Sequence, residues 1–246
     1  MAYATITNPG FTFSESLRTR TSTKKLILHH AASETLTAEG CHAVHKNKGW
    51  AGIGYNFYIH KNGTIYQGRG WPYVGAHALD NNEDSLGICC QGNYETNPTI
   101  PNAQRRALVE LIADAWARYN FTSTGGHKNY TATECPGQYF PYTHFINCGK
   151  IYPQVRTAAN KLGSQGIVNT PSYWYENFHQ LNSLGELIIK LANAPKISGR
   201  NSFTHVIDAL NHLAIKRVID TPTYWLSNYS KVQYLGELLI NVANKV

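Results

Sequence analysis

"IGYNFYIHKNGTIYQGRG", residues 53–70, sets two runs rich in aromatic and β-branched residues on either side of Lys61-Asn62-Gly63. An Asn-Gly pair between such runs marks a β-hairpin, because the reversal needs positive φ angles that these residues tolerate. The sheet containing this hairpin must therefore be at least partly antiparallel. Its sequence neighbours are not all of β type. "KKLILHH", residues 24–30, reads as a short buried strand ending in two histidines. "TLTAEGCHAVHKNKGW" then reads as a helix starting near Thr37, with Ala38, Cys41 and His45 on one face. Downstream, "SLGICCQG" (85–92) is an apolar run of strand length. "PNAQRRALVELIADAWARYN" (101–120) is an amphipathic helix with Pro101 in its opening turn and Leu108, Ile112, Ala115 and Trp116 at helical spacing. Strands interleaved with helices place residues 1–150 in the α/β class, with a mixed central β-sheet flanked by helices.

After residue 150 the strand signals stop and a repeat begins. "IVNTPSYWYENFHQLNSLGELIIKLAN" (167–193) matches "VIDTPTYWLSNYSKVQYLGELLINVAN" (218–244) at a constant offset, and upstream Tyr152, Val155 and Leu162 pair with Phe203, Val206 and Leu213. The expected domains are 1–150, α/β and catalytic, and 151–246, small and all-α. The second is built from two helical repeats, about 152–193 and 203–244, separated by a turn-rich linker at 193–202. Single repeats of this size bury little core, so the two copies should pack together.

The 246 residues carry 22 Lys and Arg against 15 Asp and Glu, a net charge of +7. Residues 1–150 hold 13 basic against 10 acidic side chains, and residues 151–246 hold 9 against 5. The basic tail suits an anionic or sugar polymer, and without a dense Lys/Arg run no nucleic-acid partner is expected. No stretch approaches the roughly 20 apolar residues of a membrane span, so no membrane insertion is expected. Five cysteines at irregular spacing argue against a disulfide framework. "MAYATITNPGFTFSES" has neither the basic nor the apolar region of a secretory leader. The expectation is synthesis in a cytoplasm, with release by another route if the protein acts outside.

"GGHKNYTATECPG", residues 125–137, places His127 eight residues before Cys135 in a Gly-, Thr- and Pro-rich segment. Imidazole and thiolate are both zinc donors, and catalytic zinc commonly takes three protein ligands from distant segments and keeps a fourth position open. His29 and His30 compete for the third place, since strand alternation sends them to opposite faces. His42 and His45, three apart on a helix, form a rival pair that nothing nearby completes. Cys89 and Cys90 lie in an apolar run and read as small buried hydrophobes.

Residues 49–94, "GWAGIGYNFYIHKNGTIYQGRGWPYVGAHALDNNEDSLGICCQGNY", closely resemble peptidoglycan recognition proteins. With "LILHHAA" and "HKNYTATECPG", the pattern over roughly 24–145 is similar to zinc-dependent N-acetylmuramoyl-L-alanine amidases, including phage lysozymes of the T7 kind. The resemblance implies a Zn²⁺ cofactor held by His29, His127 and Cys135. It implies Tyr55 beside the metal and Thr133, where phage lysozymes carry lysine, as catalytic residues. His77 matches a position lining the substrate groove, and Asn56, Arg69, Trp71 and Asn93 fall in family motifs with substrate-binding and structural parts. Recognition proteins that have lost catalysis typically lack the cysteine ligand, and Cys135 is present. Glu134 is expected to face solvent.

The implied reaction is hydrolysis of the amide joining N-acetylmuramic acid to L-alanine in bacterial peptidoglycan. The C-terminal repeats are similar to tandem helical tails of wall enzymes of Gram-positive bacteria and their phages. Tyr173, Trp174, Tyr224 and Trp225 are candidates to stack on wall sugars, or else form the cores of the two small helical units. The functional expectation is an endolysin that reaches the wall after holin-type release. The competing readings are a non-catalytic peptidoglycan-binding protein and a bacterial wall-turnover amidase.

Overall fold

The structure, a computed structural model, describes residues 2–180, 184, 187, 188, 191, 203, 205–231, 238 and 242. It divides into two units, Met1–Lys150 and Ile151–Val246. In the first, Leu26, Ile27 and Leu28 have no exposed surface and form the centre of β2 (Lys25–His30). Burial on both faces fits a strand read from a continuous apolar run. The same holds for β5 (Ser85–Cys90), which pairs with β2 in parallel from Lys25↔Ser85 to His30↔Cys90. The hairpin forms β3 (Phe57–Ile59) and β4 (Ile65–Gln67), antiparallel, with Gly63 at φ +88° in the reversal. β3 also lies parallel to β5.

Two further strands, β1 (Ile6–Thr7) and β6 (Ser123–Gly126), complete a six-stranded mixed sheet in the order β1-β4-β3-β5-β2-β6. β6 carries no apolar residue and reads as loop in the sequence; its strand character comes from pairing with β2, Lys25↔Ser123 to Leu28↔Gly126. The hairpin strands are shorter than their sequence runs. Contact with the neighbouring strands continues one residue before β3, where the Asn56 N–H donates to Gly87 O at 2.9 Å and Asn56 O accepts from both Gly68 N–H and Gly70 N–H.

Helix α1 (Ala38–Asn47) is capped by the Thr37 hydroxyl, which accepts from Gly40 N–H at 3.0 Å, and it buries Ala38, Cys41 and His45. Ala38 and Cys41 cluster with Ile53, Tyr58 and Cys89, so α1 covers the sheet face that carries Cys89. Helix α2 (Asn102–Arg118) follows Pro101 and buries Leu108, Ile112 and Ala115. From α2, Gln104 Nε2 donates to Ile59 O and Gln91 O, and Asp114 accepts from the Tyr3 and Ala4 amides. Arg20 is buried and donates to Trp71 O, Tyr73 O and Ser85 O, tying the loop after the hairpin to the start of β5.

Helix α3 (Tyr142–Ser164) contains Pro153, and its residues from Ile151 on belong to the second unit. In the second unit it presents buried Tyr152, Val155 and Leu162. α4 (Pro171–Asn177) and α6 (Pro222–Asn228) each open on proline, and α5 (Val206–Ile215) lies between them in sequence. The repeat extends to the turns. Gly166 at φ +65° and Arg217 at φ +55° occupy equivalent positions, followed by Ile167 N–H donating to Leu162 O and Val218 N–H donating to Leu213 O. The linker at 193–202, half of the first "LGEL" segment and most of the second lie outside the described residues. Among the described residues no helix is long and apolar enough to cross a membrane.

Candidate metal centre

Because β2 and β6 are adjacent and parallel, their carboxyl ends deliver His29 and His127 to the same edge of the sheet. Ligands in α/β sheets commonly bind beyond these carboxyl ends. Cys135 arrives from the loop after β6. His29, His127 and Cys135 offer donor atoms that all lie within 4.8 Å of one another, and His29 Nδ1 is 3.7 Å from Cys135 Sγ. Tetrahedral zinc with bonds of roughly 2.0–2.1 Å to nitrogen and 2.3 Å to sulfur needs a nitrogen–sulfur separation of about 3.5 Å. The two nitrogens and one sulfur thus fit a zinc-type cation in both chemistry and spacing.

The alternation of β2 decides between the two histidines. His29 turns to Cys135 and His127, its ring centroid 4.5 Å from that of His127. His30 Nδ1 instead accepts the Tyr94 N–H at 3.0 Å. The rival helix pair is engaged with loops. His42 Nε2 donates to Thr12 O at 3.2 Å while its Nδ1 accepts from Ile53 N–H, and His45 Nδ1 accepts from Gly54 N–H at 2.9 Å. Cys89 and Cys90 are buried.

The loop is shaped by contacts that spacing alone did not reveal. Lys128 N–H donates to Cys135 O at 2.7 Å, closing residues 127–135 on themselves. Asn129 Oδ1 accepts from Gly126 N–H at 2.8 Å. A Cβ at Gly126 would fall 2.6 Å from Pro136 Cδ, so only glycine lets the residue after the cysteine pack against the end of β6. Thr133 Oγ1 accepts from Cys135 N–H at 3.3 Å, and Glu134 is exposed.

Burial dominates the electrostatics. It holds the His29 pKa well below the usual imidazole value, helped by the charges of His77 and His127, so His29 is neutral and able to ligate. Burial lowers His127 in the same direction. The Cys135 thiol is pushed up to about 12, chiefly by burial. It keeps its proton until a cation displaces it. The Tyr55 ring lies 5.1 Å from that of His29, and burial, with the neighbouring Cys89, raises its pKa well above normal.

The other sequence candidates divide by burial. His77 is 7 % exposed, and its Nδ1 is 3.0 Å from His29 Nε2; it backs the ligand histidine and offers little surface to a groove. Asn56 is fully buried, donating to Gly70 O and Tyr73 O and accepting from Gly87 N–H. Arg69 donates to Ile53 O and Val74 O. Trp71 packs on Phe57 at 4.4 Å beneath the Arg118 guanidinium. The Asn93 amide donates to Glu34. In the second unit Trp174 and Trp225 are each 4 % exposed, with Tyr173 and Tyr224 edge-on to them at 5.4 and 4.9 Å. The tryptophans fill cores, and the half-buried tyrosines keep some exposed surface.

A family model described as N-acetylmuramoyl-L-alanine amidase matches residues 19–138. The endolysin of Klebsiella phage KP32 is 30 % identical over 126 residues, covering 48 % of this chain and 82 % of that protein. Peptidoglycan-recognition protein SC2 of Drosophila melanogaster is 40 % identical over 123 residues, 45 % of this chain and 66 % of the relative. The chain thus spans about two thirds of the length of that relative. Among solved structures, the N-acetylmuramoyl-L-alanine amidase LysC from Clostridium intestinale URNW superposes with a TM-score of 0.56 at 34 % identity, covering 58 % of this chain and 95 % of that one.

Proposed function

The chain belongs to the N-acetylmuramoyl-L-alanine amidase family, and from that premise we propose that it hydrolyses the amide between N-acetylmuramic acid and L-alanine, with zinc held by His29, His127 and Cys135. The convergence of these three donors from distant segments within 4.8 Å carries the reading. Bound zinc supplies a Lewis acid for the scissile carbonyl and lowers the pKa of water toward ~7.

The chain's own residues supply the rest. Tyr55 stays a neutral phenol, and so a hydrogen-bond donor, because burial raises its pKa. Its ring stands 5.1 Å from that of His29, so its O–H can be offered to an oxyanion developing beside the metal position. Thr133 uses its oxygen to accept from the Cys135 amide, which leaves its own O–H to donate toward substrate. The second unit is the wall anchor in this reading. Its Tyr173 and Tyr224 are candidate sugar contacts, and tethering raises the local concentration of bonds to cut. The enzyme reaches its substrate as an endolysin does, after holin-type release from the cytoplasm.

The 40 % identity to a recognition protein favours one second reading, peptidoglycan binding without cleavage. Purified bacterial wall incubated with the zinc-loaded protein separates the two. Release of free N-terminal L-alanine, abolished by Cys135→Ala, is the expected result. Wall binding without new amino termini would overturn the amidase reading in favour of the binder.

A further inference from the structure

His29 has two ring nitrogens, and only Nδ1 faces Cys135. The other, Nε2, is 3.0 Å from His77 Nδ1, and His77 Nε2 is 3.3 Å from Ser85 Oγ. Ser85 has no exposed surface. The His77 ring sits in a slot walled by two glycines. A Cβ at Gly75 would fall 2.3 Å from its Cδ2, and one at Gly87 would fall 2.4 Å from the same atom. The His77 backbone N–H donates to Asn82 Oδ1 at 2.8 Å, fixing the residue from outside the slot.

A neutral imidazole carries one N–H, and the hydrogen bond made by one nitrogen decides which role the other takes. If His29 Nδ1 is to give its lone pair to a cation, Nε2 must hold the proton and donate it to His77 Nδ1. His77 then carries its own proton on Nε2 and donates to Ser85 Oγ. The reverse arrangement, with His77 Nδ1–H donating to His29, would put the His29 proton on Nδ1 and block ligation. The Ser85 hydroxyl can complete either pattern, accepting from Nε2–H in the first and donating to Nε2 in the second; the first is the one that leaves the His29 Nδ1 lone pair facing Cys135.

We propose that His77 and Ser85 are positioning residues that hold His29 in the tautomer and orientation whose Nδ1 is free to bind the metal. The inference rests on the metal reading of the same site. Partners of this kind typically contribute 10–100-fold to metal affinity. In the full-length protein, zinc competition against a chromophoric chelator should show a loss of that order for His77→Leu and a smaller loss for Ser85→Ala. His77→Asn, whose Oδ1 can take the place of Nδ1 as acceptor, should recover most of the affinity. Long-range ¹⁵N–¹H spectra of histidine-labelled, zinc-free protein should show His29 protonated on Nε2 in the wild type and a mixture in His77→Leu and Ser85→Ala.

A role in filling space alone predicts that Leu serves as well as Asn. Unchanged affinity and an unchanged His29 tautomer in His77→Leu and Ser85→Ala would overturn the proposal while His29→Ala still abolished binding. Zinc binding lost in neither His29→Ala nor Cys135→Ala would instead overturn the metal reading, and this proposal with it.

Discussion

Exchanging the roles of the two adjacent histidines is the sharpest perturbation that the site allows. His30 is 7 % exposed, and its Nδ1 accepts the buried Tyr94 N–H at 3.0 Å. His30→Ala removes that acceptor and orphans a buried amide, at a cost of about 1–3 kcal/mol. With a urea m-value near ~2 kcal/mol/M, the unfolding midpoint of the zinc-free protein should fall by roughly 0.5–1.5 M. His30→Asn, which can place an oxygen near the Nδ1 position, should restore much of the loss. Neither substitution touches the donor group, so both proteins should still take up one zinc per chain. His29→Ala should give the opposite pattern, with zinc lost to dialysis. Urea titration followed by near-ultraviolet circular dichroism, with metal analysis of the dialysed proteins, reads both quantities. Zinc loss in His30→Ala with retention in His29→Ala would refute the assignment, and equal midpoints for His30→Ala and His30→Asn would refute the energetic argument.

Tyr55→Phe should lower kcat by about 10²–10³ with zinc content unchanged, the usual effect of losing one oxyanion donor; a near-normal rate on purified wall would remove Tyr55 from the chemistry. Arg217 holds φ +55° where its counterpart in the first repeat is Gly166, so Arg217→Gly should stabilise the second unit by about 1 kcal/mol in thermal unfolding, and a destabilised variant would contradict this. The His45 pKa is lowered to about 4, first by burial and then by the charges of Lys48, Arg69 and His42. The unfolded chain therefore binds the extra proton between the ordinary value of 6.5 and about 4. The contribution of His45 to stability is complete above pH 6.5 and is lost as pH falls toward 4, so His45→Asn should flatten that part of the zinc-free stability profile. A profile as steep as the wild type's would assign the acid sensitivity to other groups.

The fold was legible wherever burial wrote itself into composition. The apolar runs became β2 and β5, and the Asn-Gly reversal became the antiparallel pair that makes the sheet mixed. β6 was not legible, because Ser-Thr-Gly-Gly has no intrinsic β preference and takes its form from hydrogen bonds to a strand about a hundred residues earlier. The donor types and their loop were visible in sequence, but the choice of His29 over His30 needed the direction of the strand. His77 was singled out for a motif and is tied to the site by its contact with His29. Ser85 carried no signal, since a serine at a strand start is chemically silent until its partner is known. The repeat was visible as identity at fixed offset, yet burial of Trp174 and Trp225 depended on packing.

The sheet order leaves β6 on the outside, four residues long, half of them glycine, with β2 as its one strand partner. Such a margin frays readily and can template pairing with another chain. Yet one of the three donors follows it immediately, a second lies in the loop after it, and the third stands on β2. A cation joining them is also a rivet through the rim of the sheet, fastening an edge strand to a buried central one. Chelation should then do more than silence the enzyme. It should speed amide exchange along β6 and make the chain sticky, so that storage behaviour and activity fail together.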